Sequence, residues 1–90
     1  MTKATRTNRT AHATLLLQAD PGRAAEVASF VSGLPSVRGT ALTSGPYDVI
    51  AEVDLTDGAL ARRTLALTRR APGLLRVCVC QPGHVSPRLA

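Results

Sequence analysis

The sequence predicts one α+β domain whose elements run strand, helix, strand, strand, helix, strand. Three observations predict it. Val49, Ala51 and Val53 alternate with Ile50, Glu52 and Asp54, a period of two that sends an apolar set to one strand face and a mixed, charged set to the other. Ala24, Val27, Ala28 and Val31 recur at i, i+3, i+4 and i+7, the spacing of a helix with one buried stripe. Pro and Gly pairs (Pro21-Gly22, Gly45-Pro46, Pro72-Gly73) punctuate the chain between such runs.

Taken in order, Ala11 to Ala19 (AHATLLLQA) is an apolar run of strand length. Its three successive leucines predict a strand covered on both faces or one at a subunit interface. Asp20 then offers an N-cap and Pro21 a first helical position, which predicts a helix from Pro21 to about Ser32. Gly33 falls where a helix ends, and Pro35 prevents its continuation. Val37 to Thr43 reads as a weak strand, with Val37, Gly39, Ala41 and Thr43 on one face. Ser44, Gly45 and Pro46 make a hairpin turn into the Val49–Asp54 strand. Thr56 or Asp57 can cap a second helix from about Gly58 to Arg70. Its inner side carries Leu60, Ala61, Thr64, Leu65, Leu67 and Thr68, and its outer side Arg62, Arg63, Arg69 and Arg70. Leu74 to Gln81 is the last strand, with Leu75, Val77 and Val79 expected to share one face. This order is the ferredoxin-like βαββαβ arrangement, an antiparallel four-stranded sheet with both helices on one face. The other face, around Leu16, Ile50 and Leu74, is left partly apolar and open, which predicts self-association.

Ninety residues make one domain, and a chain this short buries only about 60% of its unfolded surface. With one Phe, one Tyr and no Trp, the interior falls to Val, Leu and Ala. Of the net charge of +5, three charges (Lys3, Arg6, Arg9) lie in the first ten residues. Residues 1–10 read as a flexible basic tail, residues 11–82 as the domain and residues 83–90 as a C-terminal tail. The tail has too few basic residues and no interleaved aromatics, so direct nucleic-acid binding is not expected. The arginine face of the second helix reads first as solvated surface and second as a phosphate-facing stripe. No secretory segment and no apolar run of about 18 residues is visible, so a cytoplasmic location without membrane contact is expected. Cys78 and Cys80, two apart on a strand, share a face and cannot easily join in a relaxed disulfide; buried, reduced thiols are expected. Two thiols fall short of a four-ligand zinc site, and His12 and His84 lie far off in sequence. No cofactor or metal is expected.

Two stretches carry a resemblance: Leu34-Pro35-Ser36-Val37-Arg38 and Thr43-Ser44-Gly45-Pro46-Tyr47-Asp48-Val49-Ile50-Ala51-Glu52-Val53. Together they resemble the ligand-binding (RAM) domain of the Lrp/AsnC family of leucine-responsive and asparagine regulators, over about residues 11–81. The glycine, tyrosine and aspartate followed by an alternating strand are the specific part. Ser36 stands where a glycine is common, and the strand with Cys78 and Cys80 is atypical. Regulators of that family carry a helix-turn-helix domain in front. The ten residues here are too few for one, so the resemblance is to a stand-alone form. It implies a homodimer through the sheet faces (a dimeric α/β barrel), often closed into a ring such as an octamer or decamer. It also implies a small ligand, typically an amino acid, held between dimers. A DNA-binding family relative is the further candidate partner.

The predicted ligand site is Thr43, Ser44, Gly45, Pro46, Tyr47 and Asp48. Hydroxyls and unpaired backbone N–H groups there can hold a carboxylate, and Asp48 can accept from an ammonium. The plainer alternative is that Gly45 and Pro46 only shape the hairpin and Asp48 only binds local N–H groups. Three rival readings stay open. An ACT-like regulatory domain would bind near Gly22 instead. A small enzyme of the dimeric α/β-barrel kind, monooxygenase or isomerase, needs an acid–base pair that is not visible, so no enzyme activity is expected. An RNA-recognition module needs strand aromatics that are absent.

Overall fold

The computed structural model describes residues 12–81; the expected tails, residues 1–10 and 83–90, and His84 lie outside the described residues. The six elements are β1 His12–Ala19, α1 Ala24–Ser32, β2 Val37–Leu42, β3 Val49–Asp54, α2 Gly58–Thr68 and β4 Leu74–Cys80. The four strands form one antiparallel sheet in the order β2-β3-β1-β4. This is the predicted ferredoxin-like fold.

The core lies between the helices and one sheet face. Ala13, Leu15, Leu17 and Ala19 from β1 meet Val49, Ala51 and Val53 from β3 and Val27 and Val31 from α1, all buried. The strict alternation in β1 and β3 is what a sheet with one covered face requires. So β1 is covered on one face only, while its second face (His12, Thr14, Leu16, Gln18) is half-buried.

Four expectations need correction. The first helix starts at Ala24, not Pro21. Pro21 and Gly22 form a turn closed by Arg23 N–H on the Asp20 carbonyl at 2.9 Å, and the cap position, Arg23, makes no side-chain capping bond. Gly22 sits at φ +82, a conformation outside any right-handed helix. In β2, a register shift between Val37 and Gly39 turns Val37 onto the core side with Val53, leaving Gly39 and Ala41 on the other face. In β4, a shift opposite Gln18 and Ala19 pairs Ala19 with Leu74 and Gln18 with Arg76. The extra residue, Leu75, is thrown out and stays 57% exposed, while Leu74 packs on the core. Finally, Cys78 is half-buried and Cys80 exposed, because both lie on the uncovered sheet face; both are free thiols.

The second helix is built as expected. Asp57 caps it, its carboxylate accepting from Leu60 N–H at 3.0 Å. Its buried stripe is Ala61, Thr64 and Thr68, with Leu65 alongside and Leu60 more exposed than predicted. The two threonines are buried because their hydroxyls find acceptors: Thr64 donates to the Pro35 carbonyl, Thr68 to the Thr64 carbonyl at 2.8 Å.

Candidate functional site

Six residues, Thr43 to Asp48, join β2 to β3 and bring the predicted site together in one hairpin. Thr43 N–H donates to the Asp48 carbonyl at 2.9 Å and closes the loop. Gly45 takes φ +128, a backbone region that side chains rarely enter, and a Cβ built there meets nothing within 4 Å. The loop therefore needs this glycine for its path, and the space beside it is open. Thr43, Ser44, Gly45 and Pro46 are exposed; Tyr47 and Asp48 are half-buried.

Asp48 has a structural task that its sequence neighbours do not reveal. Its backbone N–H donates to the Leu17 carbonyl and its Oδ2 accepts from Ala19 N–H, both at 2.8 Å. The residue thus pins the hairpin to the end of β1, twenty-nine positions away. This partner is a long-range one that no nearby sequence signal marks, not one of the local N–H groups of the plainer alternative. Among the described residues, Asp48 Oδ1 and the backbone N–H groups of Ser44, Gly45 and Tyr47 make no hydrogen bond. The loop therefore carries one carboxylate oxygen and three backbone donors without a partner among the described residues.

The rival location is also open beside its glycine, since a Cβ built at Gly22 meets nothing within 4 Å. The Arg23 side chain lies across Gly73, within 3.0 Å of where a Cβ would stand, and grips Glu26 through two 2.9 Å bonds. That pairing lowers the Glu26 carboxyl below its ordinary range. Asp20 N–H donates to the Gly73 carbonyl at 2.8 Å, closing the turn against the start of β4. A groove of about 340 Å³ runs along β4, lined by Arg69, Leu74, Leu75, Arg76 and Val77. Arg62, Arg63, Arg69 and Arg70 are exposed, and none forms an ion pair among the described residues.

The uncovered sheet face carries two cross-strand rows. Ala41, Ile50, Leu16 and Cys78 form an apolar row; Gly39, Glu52, Thr14 and Cys80 form a polar one. In the second, the Thr14 hydroxyl donates to both Glu52 oxygens, at 3.0 and 3.2 Å. Among the described residues no three His, Cys, Asp or Glu side chains are placed to hold a metal ion.

Several solved structures share this fold. The structure of TTHA0845 from Thermus thermophilus superposes with a TM-score of 0.72 at 23% identity, covering 86% of this chain and 98% of that one. FFRP-DM1, of the Lrp family, gives 0.65 at 23% identity over 76% of this chain and 92% of its own. The transcriptional regulator NMB0573 from Neisseria meningitidis, solved with L-Met, gives 0.61 at 18% identity, and this chain spans about half its length (51%). The E. coli Tat proofreading chaperone NapD gives 0.66 at 20% identity, so the architecture also serves a different task. No family model and no curated protein sequence matches the chain. The class defined here is thus a ferredoxin-like α+β domain, a fold this chain shares with Lrp-family regulators among others.

Proposed function

We propose that this chain is a small-molecule sensing and assembly module of the Lrp/AsnC type, without catalytic activity, that takes a free amino acid beside Thr43–Asp48. The observation that carries the reading is the hairpin's unspent hydrogen-bonding capacity. Three backbone N–H groups and one Asp48 carboxylate oxygen of the same loop have no partner among the described residues. An α-amino acid at neutral pH offers the complement, a carboxylate for the N–H groups and an ammonium for Asp48 Oδ1. The open space at Gly45 admits it. Kinship of fold with a regulator solved with L-Met supports a regulatory ligand of this size.

In this reading two copies stack their open sheet faces into a dimeric α/β barrel. The dimers then bring hairpins beside neighbouring chains, in a ring of eight or ten, so that a half-formed loop site becomes an enclosed one. The chain acts in the cytoplasm as a transcription-related or metabolic sensor, with DNA contact left to a family relative. No helix among the described residues is long and apolar enough to cross a membrane.

A thermal-shift screen against the common amino acids at millimolar concentration tests it. At least one should stabilise the protein, by about 2.7 kcal/mol when present at a hundred times its Kd. Asp48→Asn keeps an oxygen for Ala19 N–H but removes the charge, so it should fold and lose the ligand response. A flat screen, or an Asp48→Asn variant that still responds fully, contradicts the proposal.

A further inference from the structure

We propose that the groove along β4 binds a phosphomonoester with an aliphatic body, the phosphate held between Arg69 and Arg76 and the carbon chain laid on Leu74, Leu75 and Val77. Charge is segregated along this chain. All six acidic residues lie between Asp20 and Asp57, whereas residues 58–90 carry six arginines and no acid. Neither of the two arginines that line the groove forms an ion pair among the described residues.

The fold brings these two arginines to one groove from different elements. Arg69 is the C-cap of α2, and Arg76 lies within β4. The negative end of a helix is reason enough for Arg69 as a solvated residue, but it gives none for Arg76 on a strand. β4 is an outer strand, paired with β1 alone, so no strand stands beyond it. Leu74 and Val77 pack on the helix-covered core, which sets the groove beside the helix layer rather than on the apolar row of the other face. The register shift opposite Gln18 and Ala19 throws Leu75 out to 57% exposure. It supplies an aliphatic wall next to the two charges.

Ligand chemistry follows from this pairing. Two guanidiniums match one dianion. A phosphomonoester carries about −1.5 to −2 charge at pH 7 and three acceptor oxygens. Each guanidinium presents a planar fork of donors that meets such oxygens in pairs. A carboxylate brings one charge and two oxygens, and leaves one arginine unmatched. The apolar liners are all aliphatic, so the groove has no stacking platform for a nucleotide base. Size sets the length of the body. At a water's share of about 30 Å³ per non-hydrogen atom, a groove of about 340 Å³ takes roughly eleven such atoms, those of a phosphate and a chain of about six carbons. None of the liners belongs to Thr43–Asp48, so the inference does not rest on the amino-acid reading.

The test is isothermal titration of the whole chain with hexyl phosphate at about 0.15 M salt, beside inorganic phosphate and hexanoate. Hexyl phosphate should saturate one site per chain, at least about tenfold more tightly than either control, because only it offers both the dianion and the chain. Arg69→Gln and Arg76→Gln should each weaken it at least about tenfold with circular dichroism unchanged. Arg62→Gln, on the same helix but outside the groove, should bind as the wild type does. Absence of saturation at millimolar hexyl phosphate overturns the proposal, as does undiminished binding by either groove variant. Equal affinity for inorganic phosphate or hexanoate overturns it as well, since the site would then take any small anion. So does an equal loss in Arg62→Gln, which would make the attraction a property of the helix's overall charge.

Discussion

Ser36 holds a backbone conformation, φ +75, that L-residues other than glycine enter only at a cost. It sits in the link from α1 to β2, and its carbonyl accepts from Asp54 N–H at 2.7 Å, so the link cannot relax without losing a contact to β3. The left-handed region costs a non-glycine residue roughly 1–2 kcal/mol, and glycine gives back about 0.5–1 of that through its freer unfolded state. Ser36→Gly should therefore raise stability by about 0.5–1 kcal/mol, read as a Tm higher by several degrees in a domain this small. An unchanged or lowered Tm would show that the serine side chain contributes something its placement does not reveal. Legibility differs sharply between residues here. A serine in a glycine's place was visible in the chain, and the positive φ gives that departure its physical meaning. The bond from Asp48 to Ala19 was not visible, because it joins positions that only the sheet brings together.

At the scale of elements, α2 shows how a helix with little hydrophobic surface is anchored. Two of its three fully or nearly buried side chains are threonines, and each depends on where its hydroxyl points. Thr64→Val leaves the Pro35 carbonyl without its donor and should cost about 1–3 kcal/mol. Thr68→Val removes only a bond back to the helix's own carbonyl and should cost clearly less, which paired urea titrations would resolve. A larger loss at Thr68 would contradict this division. Two carboxyls on element ends set a pH response. Glu26 is held low by its hydrogen bond with Arg23, and Asp54 by its bonds with Thr56. Groups with lowered values stabilise the fold once pH exceeds their unfolded values, and that contribution fades as pH falls through the folded ones. Tm should thus decline below about pH 4, modestly, since both sites are solvent-exposed, and less so in high salt. A Tm that rises on acidification would contradict both assignments. Element type and order followed from periodicity and punctuation, as in β3, whose alternation survives intact as burial. What periodicity could not show was a shift of register. One extra residue in β2 and one in β4 moved Val37 inward and Leu75 outward, because a single inserted residue inverts every side chain on one side of it.

For the whole molecule, the consequential feature is the imbalance between the two sheet faces. One is closed by α1 and α2; the other presents Ala41, Ile50, Leu16 and Cys78 in an apolar row across all four strands. The sequence carried this in outline through Leu16 and Ile50, but the row itself exists only once the register is known. In the proposed account this face is closed by a sister copy, and the hairpins gain their second wall from the resulting assembly. Static light scattering of the wild-type protein beside Leu16→Glu, at micromolar concentration, tests this most directly. The account predicts a wild-type mass of two chains or more and a single-chain mass for the variant, whose buried glutamate would oppose stacking while leaving the helix-covered core untouched. A wild-type mass of one chain, or a variant that assembles as the wild type does, would contradict it.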